Sequence, residues 1–175
     1  IVWFVGKNAT LFQFDGKSKC QLVSTYIEDG KTYPISHLSR FIDTSLGQNL
    51  DFSAIWESKD NQMWVVGQYG MILHYNGLVW SLEKKPQYQK EDTNSLLSVS
   101  GSHSKDIWAV GNRIFHYDGQ NWTEKQLPLG ASGNFSVVKS IGIQEALTIS
   151  KDSLFLLGTQ NKVLTSFTVE KKGDV

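Results

Sequence analysis

The feature that most constrains the fold of this chain is a unit that its sequence repeats. The units align on an apolar run that closes with Val-Gly, namely IVWFVG at 1–6, QMWVVG at 62–67 and DIWAVG at 106–111. Each is followed by a second apolar run, TLFQFDG, MILHYNG or RIFHYDG. Trp64 and Trp108 are 44 residues apart, and Trp80 and Trp122 are 42 apart. A fixed period of this length predicts an array of similar supersecondary units that stack on one another.

Each unit has the pattern of four short antiparallel strands. In the third unit the apolar runs are SLLSVSGS, DIWAVG, RIFHYD and NWTEKQL, separated by short polar stretches. Asp-Gly and Asn-Gly pairs suit two-residue hairpin turns, because both positions of such a turn require positive φ. We therefore place Asp15-Gly16, Asn76-Gly77 and Asp118-Gly119 between the third and fourth strands.

The second strand of each unit is apolar on both faces, as in WVVG and WAVG. A two-layer sandwich would expose one face and alternate, whereas a blade packed between two other blades buries both. The pattern therefore favours a β-propeller over a sandwich. Trp64 and Trp108 are predicted core residues, and Trp80 and Trp122 are predicted to cover the blades rather than to present a ring to a ligand.

The blade units run approximately over 1–27, 51–85, 95–128 and 135–170, with an insert at 28–50, in a single β-propeller domain. The fourth unit is weaker, and aligning Ser150 with Gly111 gives it four strands. The first unit lacks an opening strand. Since propellers have about four to eight blades, we expect about four blades of a ring with six to eight. The shared structural positions are Trp64, Gly67, Asn76, Gly77 and Trp80, and then Trp108, Gly111, Asp118, Gly119 and Trp122.

These units resemble the WAVG…IxHYDGxxW repeats of bacterial β-propeller proteins, the photosystem II assembly factor-like and neuraminidase-type repeat superfamily. The resemblance covers about half of the chain and is specific for the fold, not for an activity. The first unit departs from it, with Phe14 in place of Tyr and no Trp after Gly16. The neuraminidase-type side of the resemblance raises the possibility of a glycosidase. Sialidases use three arginines to bind their substrate, and this chain has only Arg40 and Arg113. We therefore expect no sialidase site within these residues.

Composition and motifs exclude several other functions. Lysine plus arginine total 17 and aspartate plus glutamate total 17, so we predict no nucleic-acid partner. No apolar run approaches the roughly 18 residues of a membrane span, so no membrane insertion is predicted. His74 and His116 share a repeat position, which predicts packing or hydrogen bonding rather than metal ligation. No cofactor, metal or catalytic set is predicted, and the pairs Glu28-Asp29 and Glu91-Asp92 are expected to be solvated.

Function is expected where the repeat breaks, because loops carry specificity on rigid scaffolds. The candidate partner-binding residues are Tyr33, His37, Arg40 and Phe41 in the insert and Tyr88 in a second non-repeating stretch, 84–95. Three hypotheses remain open. The first is a non-enzymatic binding or scaffolding propeller that engages a protein or glycan through its loops, and we expect such a protein to be extracytoplasmic. The second is a fragment of a propeller enzyme, a glycoside hydrolase or lyase, whose catalytic residues lie outside this chain. The third is a periplasmic sensor domain.

Overall fold

The computed structural model describes residues 1–42, 49–85, 94–128, 131, 133–151 and 153–158, together with the backbone of a strand at 167–168. These residues form short strands and little helix. The strands are β1 Val2–Gly6, β2 Thr10–Phe14, β3 Cys20–Leu22, β4 Thr25–Glu28, β5 Lys31–Pro34, β6 Phe52–Glu57, β7 Met63–Gly67, β8 Ile72–Tyr75, β9 Trp80–Lys84, β10 Leu96–His103, β11 Asp106–Gly111, β12 Ile114–Tyr117, β13 Trp122–Lys125, β14 Phe135–Gly142, β15 Glu145–Ser150, β16 Ser153–Gly158 and β17 Phe167–Thr168.

Hydrogen bonding groups these strands into four sheets, and each repeat unit supplies one of them. Blade 1 is β1-β2-β3, blade 3 is β10-β11-β12-β13 and blade 4 is β14-β15-β16-β17. Blade 2 is β6-β7-β8-β9, and its sheet is widened to six strands by β4 and β5 at the outer edge. The predicted all-β fold is confirmed: the described residues form part of a propeller with four-stranded antiparallel blades.

The second strand of the central blades is buried on both faces, as its sequence requires. All residues of β7 and β11 are buried. The following hairpins turn where predicted, but through four-residue loops, 76–79 and 118–121, rather than two-residue turns. Of each Asn-Gly or Asp-Gly pair only the glycine has positive φ, 94° at Gly77 and 93° at Gly119. The Asn76 side chain accepts hydrogen bonds from the backbone N–H groups of Leu78 and Val79, both at 3.0 Å. The two residues therefore stabilise this turn differently: Asn76 through its side-chain hydrogen bonds, and Gly77 through its positive φ.

Apolar cores lie between neighbouring blades and fix their stacking. The core between blades 2 and 3 includes Trp64, Val66 and Ile107. Near the propeller axis, the innermost strands also touch directly, since the N–H of Val138 in β14 donates to Oγ of Ser98 in β10 at 3.1 Å. Stacking of this kind buries faces that a single blade could not bury alone.

The insert differs from its predicted boundaries. Its first strand begins at Thr25, three residues before the predicted start at 28, and leaves blade 1 after Leu22. It pairs in parallel with β9 of blade 2 through Ile27 and Ser81. Among the described residues, no helix is long and apolar enough to span a membrane.

Candidate partner-binding site

The insert folds into an ordered arm on the outer edge of blade 2, which we call the insert arm, Thr25–Phe41. Strands β4 and β5 form a hairpin, and its turn residues Asp29 and Gly30 have φ of 50° and 74°. Pro34, with φ −65°, ends β5 and precedes a 3₁₀ helix, Ile35–Phe41. Leu38 is fully buried in the core between blades 1 and 2 and anchors this helix.

A buried carboxylate holds the arm together. Glu28 is only 7 % exposed and forms an ion pair with the guanidinium of Arg40. Its other oxygen, Oε1, lies 2.8 Å from Nζ of Lys85 at the end of β9. Arg40 also donates to the hydroxyl of Tyr26 at 2.6 Å and to the carbonyl of His37 at 2.9 Å. The expectation that Glu28 is solvated is therefore wrong, because strand pairing carries it beneath two cations, while Asp29 beside it is exposed.

The charge state of Glu28 follows from its burial and from the two cations beside it. Burial alone would raise the pKa of Glu28, but hydrogen bonds from Lys85 and Arg40 outweigh it and lower the pKa to about 2. Burial raises the pKa of Tyr26. Glu28 is therefore anionic at neutral pH and serves as a fixed counter-ion for Arg40.

Above the ion pair lies a patch of half-buried rings. The rings of Tyr33 and His37 are stacked, with centroids 4.7 Å apart and planes at 23°. The guanidinium carbon of Arg40 lies 5.5 Å from the Tyr33 centroid and 4.1 Å from the Phe41 centroid. Four of the five predicted candidates thus lie together in one surface, which we call the aromatic patch: Tyr33, His37, Arg40 and Phe41. Tyr88 lies outside the described residues.

Strand β5 is the outermost strand of the six-stranded sheet, and within the described part of the chain no strand pairs with its second edge. Tyr33 lies in this strand, next to the exposed residues Lys31 and Thr32. An edge strand offers unpaired N–H and C=O groups to an extended segment of another chain. The aromatic patch therefore lies next to the second edge of β5.

A cleft of 220 Å³ opens beside the arm, between its 3₁₀ helix and the β1–β2 turn of blade 1. Ala9 of this turn donates its N–H to the carbonyl of Leu50 at 2.6 Å, and the N–H of Asn8 donates to the Asp51 side chain at 2.9 Å. These bonds fix the turn against the start of β6. The lining residues are Asn8, Ala9, Ile35, Ser36, Ser39, Ile42, Asn49 and Leu50.

The repeated histidines lie elsewhere and have protein partners. Nε2 of His116 is 2.7 Å from Oδ1 of Asp106, and both side chains are buried. Nε2 of His74 is 2.9 Å from Oε1 of Gln62, which holds the repeat position of Asp106. In the described ranges, no group of three or more His, Cys, Asp or Glu side chains is arranged to hold a metal ion.

The repeated tryptophans lie between blades. Trp64 and Trp108 are each 1 % exposed and Trp80 is 5 % exposed. Trp80 packs edge-on against Trp3 of blade 1, with centroids 5.6 Å apart. Trp122 is half-buried beside the core between blades 2 and 3.

Sequence reasoning missed Tyr26 and Glu28, the residues that hold the patch in place. Their only local signal is the alternation in TYIE, which buries Tyr26 and Glu28 on one side of β4. Lys85, the distant partner of Glu28, is 57 residues from it in the chain.

Comparisons with known proteins agree on the fold. No family model and no curated protein matches the chain. Among solved structures, it is similar to YCF48 bound to D1 peptide, with TM-score 0.53 and 19 % identity over 66 % of this chain and 38 % of that chain. YCF48 from Cyanidioschyzon merolae gives the same TM-score and identity, over 39 % of that chain. Virginiamycin B lyase from Staphylococcus aureus gives TM-score 0.54 and 15 % identity over 97 % of this chain and 55 % of that chain.

These neighbours establish a propeller fold. Identities of 15–19 % carry no activity from one protein to another. The chain spans about two fifths of the YCF48 chains and about half of the lyase chain that it matches.

Proposed function

We propose that this chain is a non-enzymatic binding or scaffolding propeller that engages a protein partner through the insert arm. The observation that carries the proposal is the aromatic patch, held in place by the ion pair of Arg40 with buried Glu28 in a segment that the blade repeat does not require. Aromatic and arginine side chains dominate the energetics of protein interfaces. A prearranged patch also loses little conformational entropy on binding.

The free edge of β5 favours a protein over a glycan as the partner. An extended peptide can add to this edge through main-chain hydrogen bonds while its side chains contact Tyr33 and His37. The structure of YCF48 with a D1 peptide, a protein of similar fold, supports a peptide as the class of ligand. A glycan would use the ring faces of the patch and leave the strand edge unused.

The test is selection of a displayed random-peptide library on the purified chain, followed by affinity measurements on the selected peptides. We expect Tyr33→Ala and Phe41→Ala each to weaken binding about tenfold or more. Thr32→Pro removes an N–H of β5 and should weaken binding too. Leu78→Ser, in the exposed turn of blade 2, is the matched control and should bind like the unsubstituted chain.

The proposal would be contradicted by selected peptides that bind all four variants equally, or by a selection that yields no binding peptide. The same variants on a glycan array distinguish the alternative ligand. Glycan binding that depends on Tyr33 but not on Thr32 would replace the protein partner with a carbohydrate.

A further inference from the structure

The turn of the β4–β5 hairpin determines which main-chain groups of β5 point outward. Both residues of the turn, 29–30, have positive φ, as a two-residue turn between Glu28 and Lys31 requires. The residues that flank such a turn exchange both of their main-chain hydrogen bonds, and bonded pairs of this kind recur at every second position of an antiparallel ladder. The N–H of Ile35 donates to the carbonyl of Ser24 at 2.7 Å, which agrees with this alternation.

The second edge of β5 is therefore sparse in donors. Lys31 and Tyr33 bond inward to β4, and Thr32 and Pro34 turn their main-chain groups to the second edge. Because proline has no N–H, the edge offers the N–H of Thr32 and the carbonyls of Thr32 and Pro34. An antiparallel partner strand must place one residue opposite Thr32 and exchange both main-chain bonds with it.

The side chains of Lys31 and Tyr33 lie on one face of β5, because successive side chains of a strand alternate. This face bears the aromatic patch, since the Tyr33 ring lies 6.0 Å from that of Tyr26 and 4.7 Å from that of His37. In an antiparallel pair, side chains approach most closely at the positions that exchange no main-chain bonds. The partner residues opposite Tyr33 and Lys31 would therefore make the closest side-chain contacts.

Lys31 gives this face an excess positive charge. It lies opposite Glu28 in the hairpin, but Glu28 is already ion-paired with Arg40 and with Lys85. Lys85 also lies 3.3 Å from Asp29, so these two cations and two carboxylates balance. In the part of the chain that the structure describes, no carboxylate forms an ion pair with Lys31. Charge complementarity favours an acidic residue opposite it.

Building on the proposed function, we propose that the insert arm selects an extended peptide with an apolar or aromatic residue followed two positions later by aspartate or glutamate. The peptide runs antiparallel to β5, the direction that is more stable per residue. Its apolar residue lies against Tyr33, its middle residue bonds to the main chain of Thr32, and its acidic residue lies opposite Lys31. The direction sets the order, because an antiparallel chain passes Tyr33 before Lys31.

The charge contact is tested with synthetic peptides whose sequences were selected on the chain from the displayed library. We expect these sequences to share the pattern of an apolar or aromatic residue, any residue and an acidic residue. Lys31→Glu should weaken their binding about tenfold at low ionic strength, and exchanging the peptide's acidic residue for lysine should restore it. Lys59→Glu, at an exposed lysine between β6 and β7, makes the same change in net charge and should bind like the unsubstituted chain.

The main-chain pairing is tested by methylating one peptide nitrogen at a time. The peptide residues opposite Thr32 and Pro34 direct their N–H groups to β5, so methylating either should weaken binding about fivefold or more. The apolar and acidic residues direct their N–H groups away from β5, so methylation there should be tolerated. The losses should therefore alternate along the peptide.

This inference and the proposed function fail in different ways. Peptides that bind through Tyr33 but carry no acidic residue, or that bind Lys31→Glu equally well, overturn the inference and leave the proposed function standing. An acidic residue that precedes the apolar one, or methylation losses that do not alternate, overturns the antiparallel pairing. If no peptide is selected, or if none depends on Tyr33, the proposed function itself fails. Circular dichroism establishes that the variants fold, and Lys31→Gln, which removes the charge without reversing it, should weaken binding about threefold.

Discussion

His116 and His74 occupy the same repeat position in neighbouring blades, but their surroundings differ. The His116 side chain is 3 % exposed, and its carboxylate partner Asp106 also accepts the N–H of Gln144 in blade 4 at 2.8 Å. The His74 side chain is 16 % exposed. Its Nε2 contacts a neutral amide, Gln62, and its Nδ1 lies 3.3 Å from Oε1 of Glu83, whose side chain is 34 % exposed. A short, buried bond to a carboxylate is worth more than longer contacts that water can reach.

We expect His116→Ala to lower the free energy of unfolding by about 3 kcal/mol, because it empties a packed site and removes a partner of a buried carboxylate. His74→Ala is the matched control and should cost about 1 kcal/mol. Urea unfolding with an unchanged m-value measures both. Equal losses would show that the burial of His116 does not set its contribution.

The ion pairs of buried Glu28 in the insert arm predict a pH dependence. The pKa of Glu28 is lowered in the folded chain, so the stabilisation is complete above the ordinary value of 4.5 and is lost as the pH falls towards about 2. We expect Glu28→Gln to be less stable than the unsubstituted chain at pH 7, and the difference to shrink between pH 4.5 and about 2. Urea unfolding across this range measures it.

The control for this measurement is Glu57→Gln, at an exposed glutamate of β6. Its stability should follow that of the unsubstituted chain at every pH. A difference between Glu28→Gln and the unsubstituted chain that stays constant down to pH 2 would contradict the assignment of Glu28 as the titrating group.

At the level of elements, the second strand of blades 2 and 3 ends at a glycine, Gly67 or Gly111, which lies against the backbone just before the innermost strand. A Cβ at Gly111 would lie 1.9 Å from the carbonyl oxygen of Ser95, and a Cβ at Gly67 would lie 2.3 Å from that of Asp51. The same carbonyls accept N–H bonds from the residues that follow the two glycines, at 3.0 Å. Gly67 has φ −166°, which any residue adopts, so close backbone approach is the reason for glycine here.

We therefore expect Gly111→Ala to destabilise the fold by about 2–3 kcal/mol, since the backbone of β10 must move away. Gly6 holds the same repeat position in blade 1, and a Cβ there meets nothing within 4 Å. Gly6→Ala should change the stability by less than about 0.5 kcal/mol. Thermal and urea unfolding compare the two, and a similar cost at both positions would show that the contact with the innermost strand is not responsible.

The insert arm shows how far the sequence could predict an element. The break in the repeat predicted where the insert arm lies in the chain, and four of the residues predicted there lie together in the aromatic patch. The hairpin itself was not predicted, because β4 pairs with β9 through Ile27 and Ser81, residues far apart in the chain. Edge pairing depends on which strand edge lies nearby, and only the assembled blades determine that.

For the whole molecule, stability should vary along the array of blades. Blades 2 and 3 pack against neighbours on both sides, whereas among the described residues blades 1 and 4 each pack against one neighbouring blade. In stacked repeats the stability of a unit rises with the number of its interfaces. The ends therefore open more readily than the middle.

Hydrogen exchange followed by mass spectrometry tests this gradient on the 175-residue chain. We expect the amides of β11 to exchange about tenfold or more slowly than those of β1, because opening β11 breaks two blade interfaces. Uniform protection across the four blades would mean that the array unfolds as one cooperative unit and would contradict the gradient.

The sequence by itself determined the all-β class, the unit of four strands, the hairpin turns and the apolar second strand. These features depend on side-chain periodicity and on turn residues within one unit, which are local. Only the tertiary structure decided that Glu28 is a buried counter-ion and that Tyr33, His37, Arg40 and Phe41 form one patch. Burial and charge pairing depend on which segments lie next to each other, and no local pattern specifies the neighbour of a strand edge or of a sheet face.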